Sequence, residues 1–417
     1  VPVTSSQPLE IHARQTISRL RSTFGAILAA LPQPAQRPHQ VQKGLSIDAK
    51  LGWKIARLVQ EDDVFLSAQH LPGKRRLETF FRAAAKRKVP ENLITRARAA
   101  VDEFDELIRI HAGDRASLEM MLLGCSARSN REAVIAHRKA AFQANSFIWG
   151  VQARTQFGIY IMRPGSDPSW GDLAGIRGFI GLRRMRPNVP WVIARLRADD
   201  EEGQELTGIE RRRLDPAPPR PDGSPAASLL RAFCSQPLPE IHRVEHSAGF
   251  FEEVLAPSDV GNTAAIDCIT GDDAIGVVPR HQMEGETVWG GLRMVRTPVE
   301  TLILDQLVQE DLFGGLIDPR LILFSDLNLA RGFPAPALSE SERLETGETV
   351  QYLGRDPTAV YTPDIPRYAE MVEFVCQRIG CDPARLDVYR VRIDYPIIPT
   401  SIGMEHDLPV PPGNASK

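Results

Sequence analysis

The residues His242, Glu245 and His246 stand in the order H-x-x-E-H. Inverted zinc peptidases use that spacing to place two imidazoles and a general base on one helix face. Here Pro239 and Gly249 bracket the segment, and its flanks read as strand or loop. In a strand, His242 and His246 point the same way but lie about 13 Å apart, too far for one metal. The stretch AIDCITGDDAIG holds Cys268, Asp272 and Asp273. Cys268 becomes a nucleophile only beside a base, and nothing in the sequence brings His281 to it. It reads as a buried structural cysteine next to a Gly-Asp turn. The paired glycines of WGGLRM and FGGL lack both dinucleotide and P-loop spacing, and no G-x-S-x-G elbow is present. No catalytic residue, cofactor or metal site is therefore read from the chain. The five cysteines form no C-x-x-C and no regular spacing, which suits a reducing cytoplasm.

A different chemistry is written in GLSIDAKLGWKIARLVQ, residues 44–60. At about 100° per residue, Leu51, Ile55, Leu58 and Val59 fall in one apolar arc. Lys50, Trp53, Lys54 and Arg57 fall on the opposite third of the wheel. Asp48 precedes the helix and can accept one of its free amide protons. Cations on an outward helix face neutralise phosphates or donate to guanine O6 and N7, and the indole can pack against sugar. Upstream, HQVQKGLSID fits a short helix and a turn at Gly44–Ser46. Residues 38–62 thus resemble the helix-turn-helix modules of bacterial Cro/repressor-type DNA-binding proteins. The resemblance implies a recognition helix in the major groove of duplex DNA, with Lys50, Trp53, Lys54 and Arg57 as contacts. Two flanking clusters, Lys74, Arg75 and Arg76, then Lys86, Arg87 and Lys88, are candidates for secondary phosphate contacts. Arg183, Arg184 and Arg186 form a further basic group that could add phosphate contacts but, like the two clusters before it, reads first as solvated surface.

Helical periods position these residues. Ile17, Leu20, Phe24, Ile27 and Leu28 recur at helical spacing before Pro32 and Pro34. Leu77, Phe80, Phe81 and Ala84 do the same, and so do Leu93, Ala97, Val101, Phe104 and Leu107 after Pro90. Helical patterns continue to Met162, so residues 10–165 are expected to form an all-α basic bundle. Residues 166–227 read as a mixed segment ending in a semi-rigid Pro-rich linker, RRRLDPAPPRPDGSPAA. From residue 228 to 410 the pattern changes to short β-branched and aliphatic runs. VYRVRIDYPII alternates, and PRYAEMVEFVCQRIG is an amphipathic helix between strands. That half is expected to be α+β with a mainly antiparallel sheet.

Charge divides along the same line. Residues 1–150 hold 23 Lys and Arg against 14 Asp and Glu, and residues 221–417 hold 15 against 30. A basic half attracts polyanions, and the acidic half keeps the chain soluble or repels them. Neither a secretory leader nor an apolar run of membrane-spanning length is visible. The expectation is a cytoplasmic bacterial transcription regulator that binds double-stranded DNA. Its acidic domain would bind an effector or self-associate as a homodimer. One alternative is a regulatory or defence-associated protein–protein scaffold without nucleic-acid contact. Another is an enzyme of unrecognised type, with Cys268, Asp272, Asp273 and His281 as its cluster.

Overall fold

Phe24 explains why the first helix exists in its observed place. In the computed structural model its ring stacks on Phe80 at 5.2 Å between centroids and leans on Phe81 at 5.9 Å. Helix α1 (Leu9–Ala29) thereby meets α5 (Lys74–Lys86). The long helix α6 (Glu91–His111) packs along α1 through Ala97, Val101, Phe104 and Leu107, all buried. The shorter helices α2 (Pro38–Leu45), α3 (Ala49–Gln60), α4 (Val64–Ser67) and α7 (Arg115–Cys125) close one shared apolar core. The structure describes residues 8–35, 37–126, 131–197, 210–216, 228–247, 250–283, 286–325 and 343–411.

The chain divides into two compact units between Val134 and Ile135, inside helix α8 (Arg131–Trp149). Helices thus precede a mainly antiparallel sheet region. The helical reading up to Met162 is corrected. Gly150, at φ 72°, ends the helix, and strand β1 (Val151–Pro164) follows at once. Burial on both faces of β1 removes the two-residue polar alternation by which a strand is recognised. The segment read as mixed also contains β2 (Trp170–Arg184), β3 (Trp191–Arg197) and β4 (Arg211–Arg213), all in sheets of the second unit. Residues 217–227 of the Pro-rich stretch lie outside the described residues.

The remaining strands are β5 (Ile241–Ser247), β6 (Phe250–Leu255), β7 (Ile266–Pro279), β8 (Val288–Val295), β9 (Val299–Gln309), β10 (Arg320–Ser325), β11 (Gln351–Arg355), β12 (Leu386–Asp394) and β13 (Thr400–Asp407). A seven-stranded sheet runs β11-β12-β9-β1-β2-β7-β4, with β1 and β9 as its parallel pair. Helix α9 (Tyr368–Ile379) fills one face of it, against Ile159, Ile303 and Val388. The three-stranded sheet β10-β13-β8 fills the other, against Leu302, Leu304 and Val391. Gly403 is needed in β13, because a Cβ there would meet the Gly291 carbonyl oxygen at 1.9 Å. The third sheet, β3-β6-β5, has its own apolar cluster around Ile241 and Leu255.

Polar groups inside this unit are mostly paired. Arg390 holds Asp305 through two 2.7 Å bonds, and Tyr368 donates to the same carboxylate at 2.6 Å. The alternation in VYRVRIDY therefore does not separate core from solvent. Val388 and Arg390 face α9, while Tyr389, Val391 and Ile393 face β13, and all five are buried. His406, like the buried hydroxyls of Thr155 and Ser401, is not paired. It is 1% exposed, lies edge-on to Phe313 at 4.5 Å and to Trp289 at 5.9 Å, and has no partner for either ring nitrogen. Burial pushes its pKa down to about 4, from 6.5. The unfolded chain therefore binds a proton that the folded one refuses between those values. The stabilisation is complete above pH 6.5 and falls as pH drops towards 4, by about 3 kcal/mol if the whole shift is felt. Urea denaturation of the second unit from pH 7 to 4.5 should show this loss, and His406→Phe should flatten the profile.

Candidate nucleic-acid interface

Helix α2 runs on through the first two residues of the expected turn and ends at Leu45. Gly44 lies within it, and Ser46 takes the left-handed conformation at φ 53°. The Ser46 N–H returns to Lys43 at 3.3 Å and the Ile47 N–H returns to Gln42 at 3.2 Å, which closes the helix end. The Ile47 side chain enters the helical core. The turn is therefore Ser46–Asp48 and not Gly44–Ser46. Asp48 accepts the Leu51 N–H at 3.0 Å and starts α3. That bond, then the Arg76 guanidinium, hold its carboxyl below the usual range. A Cβ on Gly52 would stand 3.1 Å from the Gln42 backbone nitrogen, so glycine lets α3 lie close against α2.

Leu51, Ile55 and Leu58 are buried, as the wheel of α3 requires. Lys50 and Arg57 are exposed, Lys54 is half-buried and Trp53 is 44% exposed. All four residues expected to contact DNA thus lie off the core side. Trp53 is not free-standing: its ring meets His70 edge-on at 5.3 Å, and the Arg57 guanidinium lies 6.0 Å above it. Glu61 approaches Arg57 at 3.9 Å and His70 at 3.8 Å. Burial holds His70 below its usual pKa, against the opposing pull of Glu61. His70 and Glu61 were not among the residues singled out from sequence. Their only signal is position, since the 3-10 turn Ala68–His70 follows α4 and comes back against α3.

Helix α5 brings the flanking cations to the same turn. Arg76 reaches Asp48 at 3.3 Å, and Arg87 donates to the Ser46 hydroxyl. These two are ties within the fold as much as free charges. Lys74 pairs with Asp105 at 2.9 Å. Among the described residues, Lys50, Lys54, Arg75, Lys86 and Lys88 have no carboxylate at ion-pair distance. Residues 37–88 hold 12 Lys and Arg against 5 Asp and Glu, whereas the rest of residues 1–134 holds 9 of each. The positive excess of the first unit therefore lies wholly in the segment of α2 to α5.

The other candidate groups do not assemble. Cys268 is buried, and burial pushes its thiol up, away from reactivity. Asp273 is bound by Arg163 through two 2.8 Å bonds, and Asp272 by Arg177 and Arg211. His242 lies exposed beside Glu240 at 3.1 Å on β5, and the His246 side chain lies outside the described residues. No group of three metal-ligating side chains occurs among the described residues. In the basic group at the end of β2, Arg186 is exposed and Arg183 half-buried, and Arg184 alone departs from the solvated surface expected. Arg184 is fully buried and donates to the carbonyls of Leu255 and Ala256, while Arg186 donates to that of Ile148. No described helix is long and apolar enough to cross a membrane.

Removing the Asp48 carboxylate tests whether the turn is organised as described. Asp48→Ala should cost about 1 kcal/mol as a lost helix cap. It should also lower amide-exchange protection in the first turn of α3 more than in α6. No protein-family model, curated protein or solved structure matches the chain.

Proposed function

We propose that the first unit binds double-stranded DNA with the outward side of α3, as a helix-turn-helix of a cytoplasmic bacterial regulator. One observation carries this reading: the unit's positive excess is confined to residues 37–88, and Lys50 and Lys54 stand there without carboxylate partners among the described residues. A cation quenched by a neighbouring carboxylate releases no counterion from DNA, whereas an unquenched one does. Lys50, Lys54 and Arg57 meet phosphates or base edges, and Trp53 packs against the sugar-phosphate wall. Arg75, Lys86 and Lys88 add phosphate contacts from α5. The second unit supplies effector binding or self-association.

Titrating the full chain into a labelled 30-base-pair duplex at several salt concentrations tests this. Affinity should fall steeply with salt. Lys50→Glu with Lys54→Glu should weaken binding at least about tenfold and reduce the salt slope by about two, one for each phosphate contact removed. Salt-independent binding, or an unchanged double variant, would overturn the reading.

A further inference from the structure

A cleft of about 540 Å³ opens on the α9 side of the seven-stranded sheet. Strands β9, β11 and β12 form its floor, and residues 356–364, which lead into α9, form its wall. Ile303, Leu353, Val360 and Pro363 make its lining partly apolar. Its volume is that of a small-molecule site. Three arginines also line it, and two of them have no donor to spare. Arg392 donates to Asp364 at 3.2 Å, to Asp394 at 2.7 Å and to the Thr301 hydroxyl at 3.4 Å. Arg355 donates to Asp387 and Glu310 through all three of its nitrogens.

Arg390 differs. It is 7% exposed, and its Nε and Nη2 are engaged by Asp305. Nη1 donates to no acceptor among the described residues, yet it is not sealed from solvent. A guanidinium held through Nε and Nη2 keeps a second edge, formed by Nη1 and the other Nη2 proton, with the fork geometry that matches a carboxylate. Asp305 locks the group in place, so an acceptor for that edge comes from the cleft. Carboxylate oxygens stand unused at the wall. Asp356 takes φ 70° and ψ 91°, a conformation that residues with a side chain rarely adopt and that clusters at ligand sites. The bond from its N–H to the Leu386 carbonyl at 3.0 Å holds it there. Its Oδ1 accepts from the Thr358 N–H and hydroxyl, and its Oδ2 accepts no hydrogen bond among the described residues. Asp364 accepts from Arg392 through Oδ2, and its Oδ1 accepts none among them.

We infer that this cleft binds a small zwitterion with an apolar side chain, an α-amino acid of the leucine or phenylalanine class. Its carboxylate takes the open edge of Arg390 and its ammonium takes Asp364. Positions 390 and 392 share one face of β12 about 7 Å apart, so the carboxylate fixed by Arg392 stands near a ligand held by Arg390. The side chain lies on Leu353 and Val360, and Tyr361, 85% exposed at the rim, covers it. Charge selects this class. Asp305, Asp387, Glu310 and Asp394 already offset the three arginines, so the cleft holds no positive surplus for a bare anion such as phosphate. A bare cation meets the guanidinium edge instead. A ligand with both charges at one end and an apolar body satisfies the guanidinium, the carboxylates and the lining together. The inference gives a ligand class to the effector role assigned above to the second unit, and rests on that reading for its regulatory consequence.

Isothermal titration calorimetry of the full chain with L-phenylalanine and L-leucine should give a Kd of about 1 mM or tighter for at least one of them. The N-acetylated form of that amino acid, which lacks the ammonium, and its amide, which lacks the carboxylate, should each bind at least about tenfold more weakly. Ala359→Trp, at an exposed position lining the cleft, should abolish binding with circular dichroism unchanged. Asp364→Asn should weaken binding of the free amino acid and leave that of the N-acetylated form as it is. No heat from either amino acid at about 10 mM, equal affinity for the blocked forms, or binding undisturbed by Ala359→Trp would each overturn the inference. Repeating the DNA titration with the amino acid at saturation separates the two readings. Binding that leaves DNA affinity unchanged upholds the cleft and overturns the effector role, whereas absence of binding overturns the cleft and leaves the DNA contact untouched.

Discussion

The carboxylate of Asp48 is the contact on which the candidate interface depends. It accepts the Leu51 N–H and so fixes where α3 begins, and it draws Arg76 of α5 to the same turn. An N-cap is worth about 1 kcal/mol, small beside the burial of Leu51, Ile55 and Leu58. Its importance is geometric. A helix that began one residue later would keep its apolar arc on the core, but its first turn would fray, and Lys50 sits in that turn. Ser46, in the left-handed conformation, and Gly52, against the Gln42 backbone, complete the constraint from the α2 side. The cations are therefore presented by a small assembly whose own polar groups are bonded to each other.

The two units treat charge differently. In the second unit, arginines are matched to carboxylates in the interior: Arg390 with Asp305, Arg163 with Asp273 and Asp172, Arg177 with Asp272, Arg138 with Glu348. Such pairs add little net stability over apolar packing, but losing one partner strands a buried charge, so they penalise wrong registers. Residues 135–417 carry 29 Lys and Arg against 39 Asp and Glu, so the unit stays acidic after all this pairing. In residues 37–88 the supply of carboxylates runs out instead. Five acids face twelve bases, and Asp48 and Glu61 are already engaged by Arg76 and Arg57. The unmatched remainder is the physical basis for expecting a polyanion there.

Much of this was legible in the residues wherever a helix buries one face. The arcs of α1, α3, α5, α6 and α9 appear in the sequence because half of each wheel must avoid water. The outward positions of Lys50, Trp53, Lys54 and Arg57 follow from the same arc. Strands buried on both faces gave no such signal. β1 lost its period because α9 and the small sheet both demand apolar residues, and it was absorbed into the preceding helix. The two-residue displacement of the turn was hidden because Gly44 marks a turn locally, whereas tertiary packing keeps it helical against Leu31. Ion pairs such as Arg76 with Asp48, 28 residues apart, belong to the fold and not to any window of sequence. The buried Arg184 is a similar case, since a run of arginines reads as surface until a strand end carries one inside.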